Sequence, residues 1–72
     1  MTKTDYVEFN GIVDKQIPGG KFLVALENGH RIVAHLSGKM RLYKINVIPL
    51  NRVTVEVSSY DPTQGRIIYR HK

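Results

Sequence analysis

Residues 22–37 read FLVALENGHRIVAHLS, and this stretch decides the fold class. Side chains alternate between two faces on either side of Asn28-Gly29, and such alternation predicts two half-buried strands. An Asn-Gly pair between alternating segments predicts a two-residue type I′ hairpin. We therefore predict antiparallel neighbouring strands over 22–27 and 30–37, with these side chains inward: Phe22, Val24, Leu26, Ile32, Ala34 and Leu36.

The same alternation occurs in three further segments, 6–13, 52–57 and 65–71. Turn residues separate the segments, with Pro-Gly-Gly at 18–20 and Asp-Pro-Thr-Gln-Gly at 61–65. Five short strands in 72 residues predict an all-β domain. In the added strands we predict an inward set of Val7, Phe9, Gly11, Val13, Val53, Val55, Val57, Ile67 and Tyr69, and an outward set that includes Arg66 and Arg70.

Only residues 37–50 lack alternation. Ser37 is a plausible helix cap, Met40, Tyr43 and Val47 are spaced by three and four, and Pro49 stops a helix, so we predict a short helix between strands 3 and 4. Closing the sheet removes its exposed edges, which favours a five-stranded antiparallel barrel of the oligonucleotide-binding (OB) type. An SH3-like barrel is the alternative, but that fold lacks a helix of this length there. We predict one domain over 1–72, with residues 1–5 a frayed tail.

Composition excludes several classes of protein. Cysteine is absent, so there is no disulfide, thiolate nucleophile or cysteine zinc site. The longest apolar runs are about five residues against the roughly 20 of a membrane span, and we expect a soluble protein without a membrane partner. A core this small leaves no room for a deep cofactor cavity.

The net charge of +5 lies wholly in the second half of the chain. Residues 1–38 carry four bases and four acids, whereas residues 39–72 carry seven bases and two acids. One-sided positive charge is typical of a surface that binds a polyanion, because neutralised phosphates release counterions. A merely solubilising basic surface is the alternative.

No spacing supports catalysis, a metal or a cofactor. No Ser or Thr is placed with a His and an acid beyond chance, so we predict that the protein is not an enzyme and takes no small-molecule substrate. His30 and His35 point to opposite faces of a strand and cannot chelate one ion. Gly19-Gly20-Lys21 lacks the Ser or Thr and the helix of a phosphate-binding loop.

The residues that favour nucleic-acid binding are basic and aromatic. Lys and Arg side chains bind phosphate oxygens, and exposed aromatic rings stack on unpaired bases. For Tyr43 and Tyr60 the alternative is that the ring covers the core, and this is favoured for Tyr60, which lies beside a turn. The candidates are Lys39, Arg41 and Lys44 in the helical connection, Arg66 and Arg70 on the last strand, and Tyr43 and Tyr60.

Five blocks of the sequence carry a family resemblance: LENGH at 26–30, AHLSGKMR at 34–41, VTVE at 53–56, YD at 60–61 and GRIIYR at 65–70. Through them the chain resembles translation initiation factor 1 of bacteria and plastids over nearly all of its length. The resemblance implies a non-enzymatic OB protein that binds the small ribosomal subunit at the aminoacyl-tRNA site. It also implies contacts with ribosomal RNA and a neighbouring ribosomal protein, support of initiation factors two and three, a monomer, and a cytoplasmic or plastid stromal location. The implied RNA contacts are Gly38, Lys39, Met40, Arg41, Arg66 and Arg70.

The chain departs from the family pattern at two places. Where the family shows an aromatic residue followed by isoleucine and arginine, this chain has LYKIN at 42–46, so that Asn46 replaces an arginine and Lys44 is a possible substitute. Before strand 4 the family's Gly-Asp turn is Leu50-Asn51, and we expect Asn51 to preserve the turn because Asn tolerates left-handed backbone.

Two other functions are compatible with a basic barrel. A cold-shock-like single-stranded RNA chaperone presents aromatic clusters on its central strands, and the outward positions here contain none. The outward positions of these central strands are Leu23, Ala25, Arg31, Val33 and His35.

A protein-binding barrel whose basic half meets an acidic partner is the third possibility.

Overall fold

The computed structural model describes residues 6–71, so the tail predicted at residues 1–5 lies outside the described part of the chain. The strands form a closed barrel in the order β1-β2-β3-β5-β4, with one short helix between β3 and β4. This confirms the all-β prediction. Within residues 6–71, no helix is long and apolar enough to cross a membrane. The elements are β1 (Tyr6–Ile17), β2 (Lys21–Leu26), β3 (Arg31–Leu36), α1 (Gly38–Leu42), β4 (Arg52–Ser58) and β5 (Gln64–His71).

The barrel is not antiparallel throughout, which corrects the prediction. β3 and β5 run parallel, with Leu36 beside Ile67, and the other neighbouring pairs are antiparallel. A closed ring of five strands cannot alternate direction at every step, because five is odd. One parallel pair is therefore a geometric necessity, and it falls where the last strand closes the ring.

The barrel interior holds most of the predicted inward set. Val53, Val55 and Val57 are all at most 5% exposed, as the alternation in β4 requires. Val7 is 48% exposed instead of inward, because the first part of β1 pairs only with β4 and extends beyond the end of β2. The buried apolar residues are Val13, Phe22, Val24, Leu26, Ile32, Ala34, Met40, Val47, Val53, Val55, Val57 and Ile67.

The hairpin between β2 and β3 has a different turn from the one predicted. A type I′ turn needs positive φ at two residues, but only Gly29 of the Asn28-Gly29 pair has it, at 91°. The Gly29 N–H donates to the Leu26 carbonyl at 3.0 Å. The loop is thus a type I turn followed by a left-handed glycine, and Asn28 stabilises it by accepting from the His30 N–H at 3.0 Å.

A bulge in β5 changes which side chains face outward. Thr54 lies opposite Tyr69 and Val55 lies opposite Ile67, so Ile68 is an extra residue without a partner in β4. Tyr69 is consequently 59% exposed, and its prediction as a core residue was wrong. The bulge also separates Arg66 from Arg70, since the two arginines no longer share one face.

Candidate nucleic-acid interface

Helix α1 is a single turn whose inward side chain closes one end of the barrel core. Ser37 caps it, as predicted, by accepting from the Met40 N–H at 3.2 Å. Met40 is 2% exposed and belongs to the core. The RNA contact expected of Met40 stays a prediction and falls to its backbone, because the one inward position of a five-residue helix is used for packing.

Lys39 and Arg41 flank Met40 on the two sides of the helix and are both exposed. Successive helical residues are about 100° apart, so burying Met40 turns its two neighbours outward to either side. Neither side chain forms an ion pair with an acid among residues 6–71. Gly38 is exposed, and nothing lies within 4 Å of where a Cβ would be, so a bulky group can approach the backbone there.

The helix ends in a Schellman motif that presents Lys44. The Ile45 N–H donates to the Met40 carbonyl at 3.0 Å and the Lys44 N–H to the Arg41 carbonyl at 3.1 Å. Lys44 has a φ of 54°, a left-handed position that glycine usually occupies. The motif fixes the backbone of Lys44, whose side chain is exposed beside Arg41.

The left-handed Lys44 also explains why the helix is shorter than the spacing suggested. It ends at Leu42, well before Pro49, and Tyr43 is 63% exposed instead of lying in an inward stripe. Exposure leaves the Tyr43 ring able to stack on a base. Val47 is buried, as predicted.

The connection returns to the barrel through a turn over residues 48–51. The Asn51 N–H donates to the Ile48 carbonyl at 3.1 Å, and Leu50 has a φ of 75°, which with Pro49 before it makes a type II turn. Leu50, and not Asn51, therefore takes the left-handed position. Asn51 instead stabilises the turn by accepting from the Ile48 N–H on its side-chain oxygen at 3.0 Å.

Arg70 supports the connection by a hydrogen bond to its backbone. One of its guanidinium nitrogens donates to the Asn46 carbonyl at 2.6 Å, and Arg70 is half-buried. Its position opposite Val53 in β4 directs it toward this end of the barrel. Arg70 thus supports the backbone beside Lys44, a role that differs from the direct contact expected from the sequence.

Arg66 and Tyr60 lie in a second region. Arg66 is four residues before Arg70, about 13 Å along a strand, and its guanidinium donates to Glu56 at 2.6 Å. The same guanidinium lies 5.7 Å from the centre of the Tyr6 ring. Tyr60, in the β4–β5 loop, is 80% exposed, which contradicts the reading that it covers the core. The predicted candidates therefore divide into two groups. The connection group is Gly38, Lys39, Met40, Arg41, Tyr43 and Lys44, with Arg70 supporting its backbone, and the smaller group is Arg66 and Tyr60.

Sequence reasoning missed that the connection also exposes apolar side chains. Leu42 is 73% exposed and Ile48 60% exposed, although apolar residues in a short connection are ordinarily assigned to the core. The only feature of the sequence that indicated this exposure was the position of Leu42 between two basic residues, Arg41 and Lys44. Within the described residues 6–71, no group of three potential metal ligands occurs.

Comparison with known proteins agrees with this arrangement. The family model for translation initiation factor 1A / IF-1 matches residues 1–72. The solution structure of translation initiation factor 1 from the Wolbachia endosymbiont of Brugia malayi is similar at a TM-score of 0.80 and 42% identity, covering 99% of this chain and 84% of that one. The crystal structure of YjeQ from Thermotoga maritima is similar at a TM-score of 0.74 and 25% identity, covering 92% of this chain but 23% of that one.

A closed five-stranded barrel with one short helix and an exposed basic connection defines an OB-fold protein of the RNA-binding class. Because the family model matches the whole chain, the class can be narrowed further. The chain belongs to the translation initiation factor 1A / IF-1 family, whose members are non-enzymatic, and has an initiation factor role. The resemblance noted in the sequence is confirmed.

Proposed function

We propose that this protein binds the small ribosomal subunit at the aminoacyl-tRNA site and there supports initiation factors two and three. The connection of residues 38–46 contacts ribosomal RNA, and another face of the barrel contacts a neighbouring ribosomal protein. The protein acts as a monomer, in the cytoplasm or the plastid stroma. One observation carries the proposal: Lys39, Arg41 and Lys44 are exposed, lack acidic partners within residues 6–71, and stand on a capped, hydrogen-bonded backbone.

The arrangement supports RNA contact for two physical reasons. Charges that are not already paired with acids bind phosphates without first breaking an ion pair, unlike Arg66 with its Glu56 partner. A backbone fixed by the Ser37 cap and the Schellman motif also loses little conformational entropy on binding. The connection group is therefore the primary contact, and Arg66 with Tyr60 forms a secondary one.

The test is binding of purified small subunits by a Lys39→Ala, Arg41→Ala double variant. Losing two phosphate or base contacts of about 1–3 kcal/mol each weakens binding by roughly 100-fold or more. The matched control is Lys15→Ala, Lys21→Ala, which removes the same charge from exposed positions in the neutral half and should weaken binding only a few-fold. Thermal melts of both variants should match the wild type, since exposed substitutions move stability by about 0.5 kcal/mol or less.

A footprint of the small-subunit RNA locates the site. We expect protection confined to the decoding region, and that protection should disappear with the double variant. Equal binding to free single-stranded oligonucleotides would instead support the cold-shock-like chaperone. Equal losses in the two double variants would refute a specific role for the connection.

A further inference from the structure

An open cleft lies on the outside of the barrel, and helix α1 contributes none of its lining residues. It has a volume of about 690 Å³ and is lined by β1, the end of β2, the start of β4 and the end of β5. Its floor is one row of side chains, because Ile12 pairs with Ala25 on one side and with Arg52 on the other, and Arg52 pairs with His71. Directly opposite residues lie about 5 Å apart between their Cβ atoms, so the row is continuous.

The two sides of the cleft carry opposite charges. The Arg52 side chain is exposed and makes no hydrogen bond or ion pair among residues 6–71, whereas the Arg31 and Arg66 side chains are each near an acid. Glu27 stands on the β2 side, with β1 between it and Arg52. Between the two charges lies an apolar floor, where Ile12 is 44% exposed.

His71 is held beside Arg52 by a directed hydrogen-bond chain. The Thr54 hydroxyl donates its one hydrogen to Asn10 Oδ1 at 2.8 Å, so the 2.8 Å contact between Thr54 Oγ1 and His71 Nε2 requires Nε2–H to be the donor. The Tyr69 ring meets the His71 ring edge to face at 4.9 Å. Asn10 keeps its amide nitrogen unused within the described residues.

We propose that this cleft binds a single nucleotide. The phosphate lies at the unpaired guanidinium of Arg52, the base lies on Ile12 and Ala25, and the His71 ring only borders the phosphate side. Glu27 accepts hydrogen bonds from the N–H groups of the base. A bare phosphate at Arg52 fits poorly, because it leaves the apolar floor uncovered and the Glu27 carboxylate without a partner. The width of the cleft also fits one nucleotide, because the base site on β2 and the phosphate site on β4 are two strand separations of about 4.8 Å apart.

The charge arrangement predicts a preference among bases. A carboxylate acceptor binds guanine well, because guanine offers an amino group and a ring N–H side by side, while uracil offers one N–H flanked by two carbonyls. GMP should therefore bind at least fivefold more tightly than UMP. The nucleotide comes either free from solution or as an unpaired residue of an RNA strand, and both sources present the same chemistry.

Amide chemical-shift titrations of the whole protein test the proposal with GMP, UMP, inorganic phosphate and a G-containing single-stranded hexaribonucleotide. GMP should shift the amides of Ile12, Ala25 and Glu27, and a response to the hexanucleotide alone would identify the source as a strand. Arg52→Ala should weaken binding fivefold or more, with Lys21→Ala, a control of equal charge at the far end of β2 and outside the cleft, changing it less than twofold. Glu27→Ala should remove the preference for GMP.

Three results would overturn the proposal: no shifts at the cleft with either nucleotide or the strand, equal shifts with inorganic phosphate, or equal effects of Arg52→Ala and Lys21→Ala. Melting curves of each variant establish that the fold is retained. Subunit binding measured on the same samples separates this proposal from the proposed function, since a silent cleft with intact subunit binding refutes the cleft alone.

Discussion

Leu50 occupies a backbone position that suits glycine, and replacing it should reveal a cost built into the turn. A branched side chain at a φ of 75° places Cβ against the carbonyl oxygen, at a cost of about 1–2 kcal/mol. Leu50 is 81% exposed, so truncating its side chain removes little buried surface. Alanine retains the Cβ and thus the strain, whereas glycine removes the strain. Glycine also makes the unfolded chain more flexible, which lowers the stability of the folded state by about 0.4–1 kcal/mol and offsets part of the gain.

We therefore expect Leu50→Gly to be more stable than Leu50→Ala by about 0.5–1 kcal/mol. For a domain of this size that difference raises the Tm by roughly 2–8 °C. Urea denaturation gives the same comparison as a shift in midpoint at constant slope.

Ile48 provides the matched control, because it belongs to the same turn, is 60% exposed and lacks positive φ. There the order should reverse, and Ile48→Gly should be less stable than Ile48→Ala by about 0.4–1 kcal/mol. The same order at both positions would refute the argument from backbone strain.

Three further predictions concern the core and the RNA contact. Val55→Asp should unfold the domain, because a buried unpaired carboxylate costs several kcal/mol against a reserve of about 3–5 kcal/mol, while Thr54→Asp, on the half-buried outer face, should be far milder by thermal melt. Small-subunit affinity should fall with salt at a log-log slope of about −3 to −5 if four to six phosphates are neutralised, and a slope near zero would contradict polyanion binding. Asn46→Arg should tighten subunit binding at low salt and steepen that slope, and an unchanged titration would mean that Lys44 already supplies the contact or that this connection lies away from RNA.

The number of strands and most of their faces could be predicted from the sequence, because burial on one face imposes a period of two. Val53, Val55 and Val57 illustrate this, since each is buried as its position requires. The pattern cannot reveal an extra residue in a strand, so Tyr69 was assigned to the wrong face after the bulge at Ile68. Ladder register, which depends on partners distant in sequence, decides such faces.

The candidate site was predictable in composition but not in detail. Unpaired basic residues cluster in the connection, and Lys39 and Arg41 are exposed as expected. The spacing of Met40, Tyr43 and Val47 correctly indicated the buried face of Met40, but it placed Tyr43 on the same face, which is wrong because the helix ends at Leu42. Backbone conformation was equally hidden, since Leu50 has no intrinsic preference for the left-handed region that its turn imposes.

The parallel pairing of β3 with β5 has a consequence for how the chain folds. The last strand inserts between β3 and β4, so the ring stays open until residues 64–71 are available. During synthesis, the edge of β3 must therefore wait unpaired while about half of the chain is still being added. Pairings so distant in sequence make folding slow, in the range of milliseconds to seconds, because the chain loses loop-closure entropy before the stabilising contacts form. A chain shortened within β5 would consequently lose the closure of the whole barrel and not only one strand.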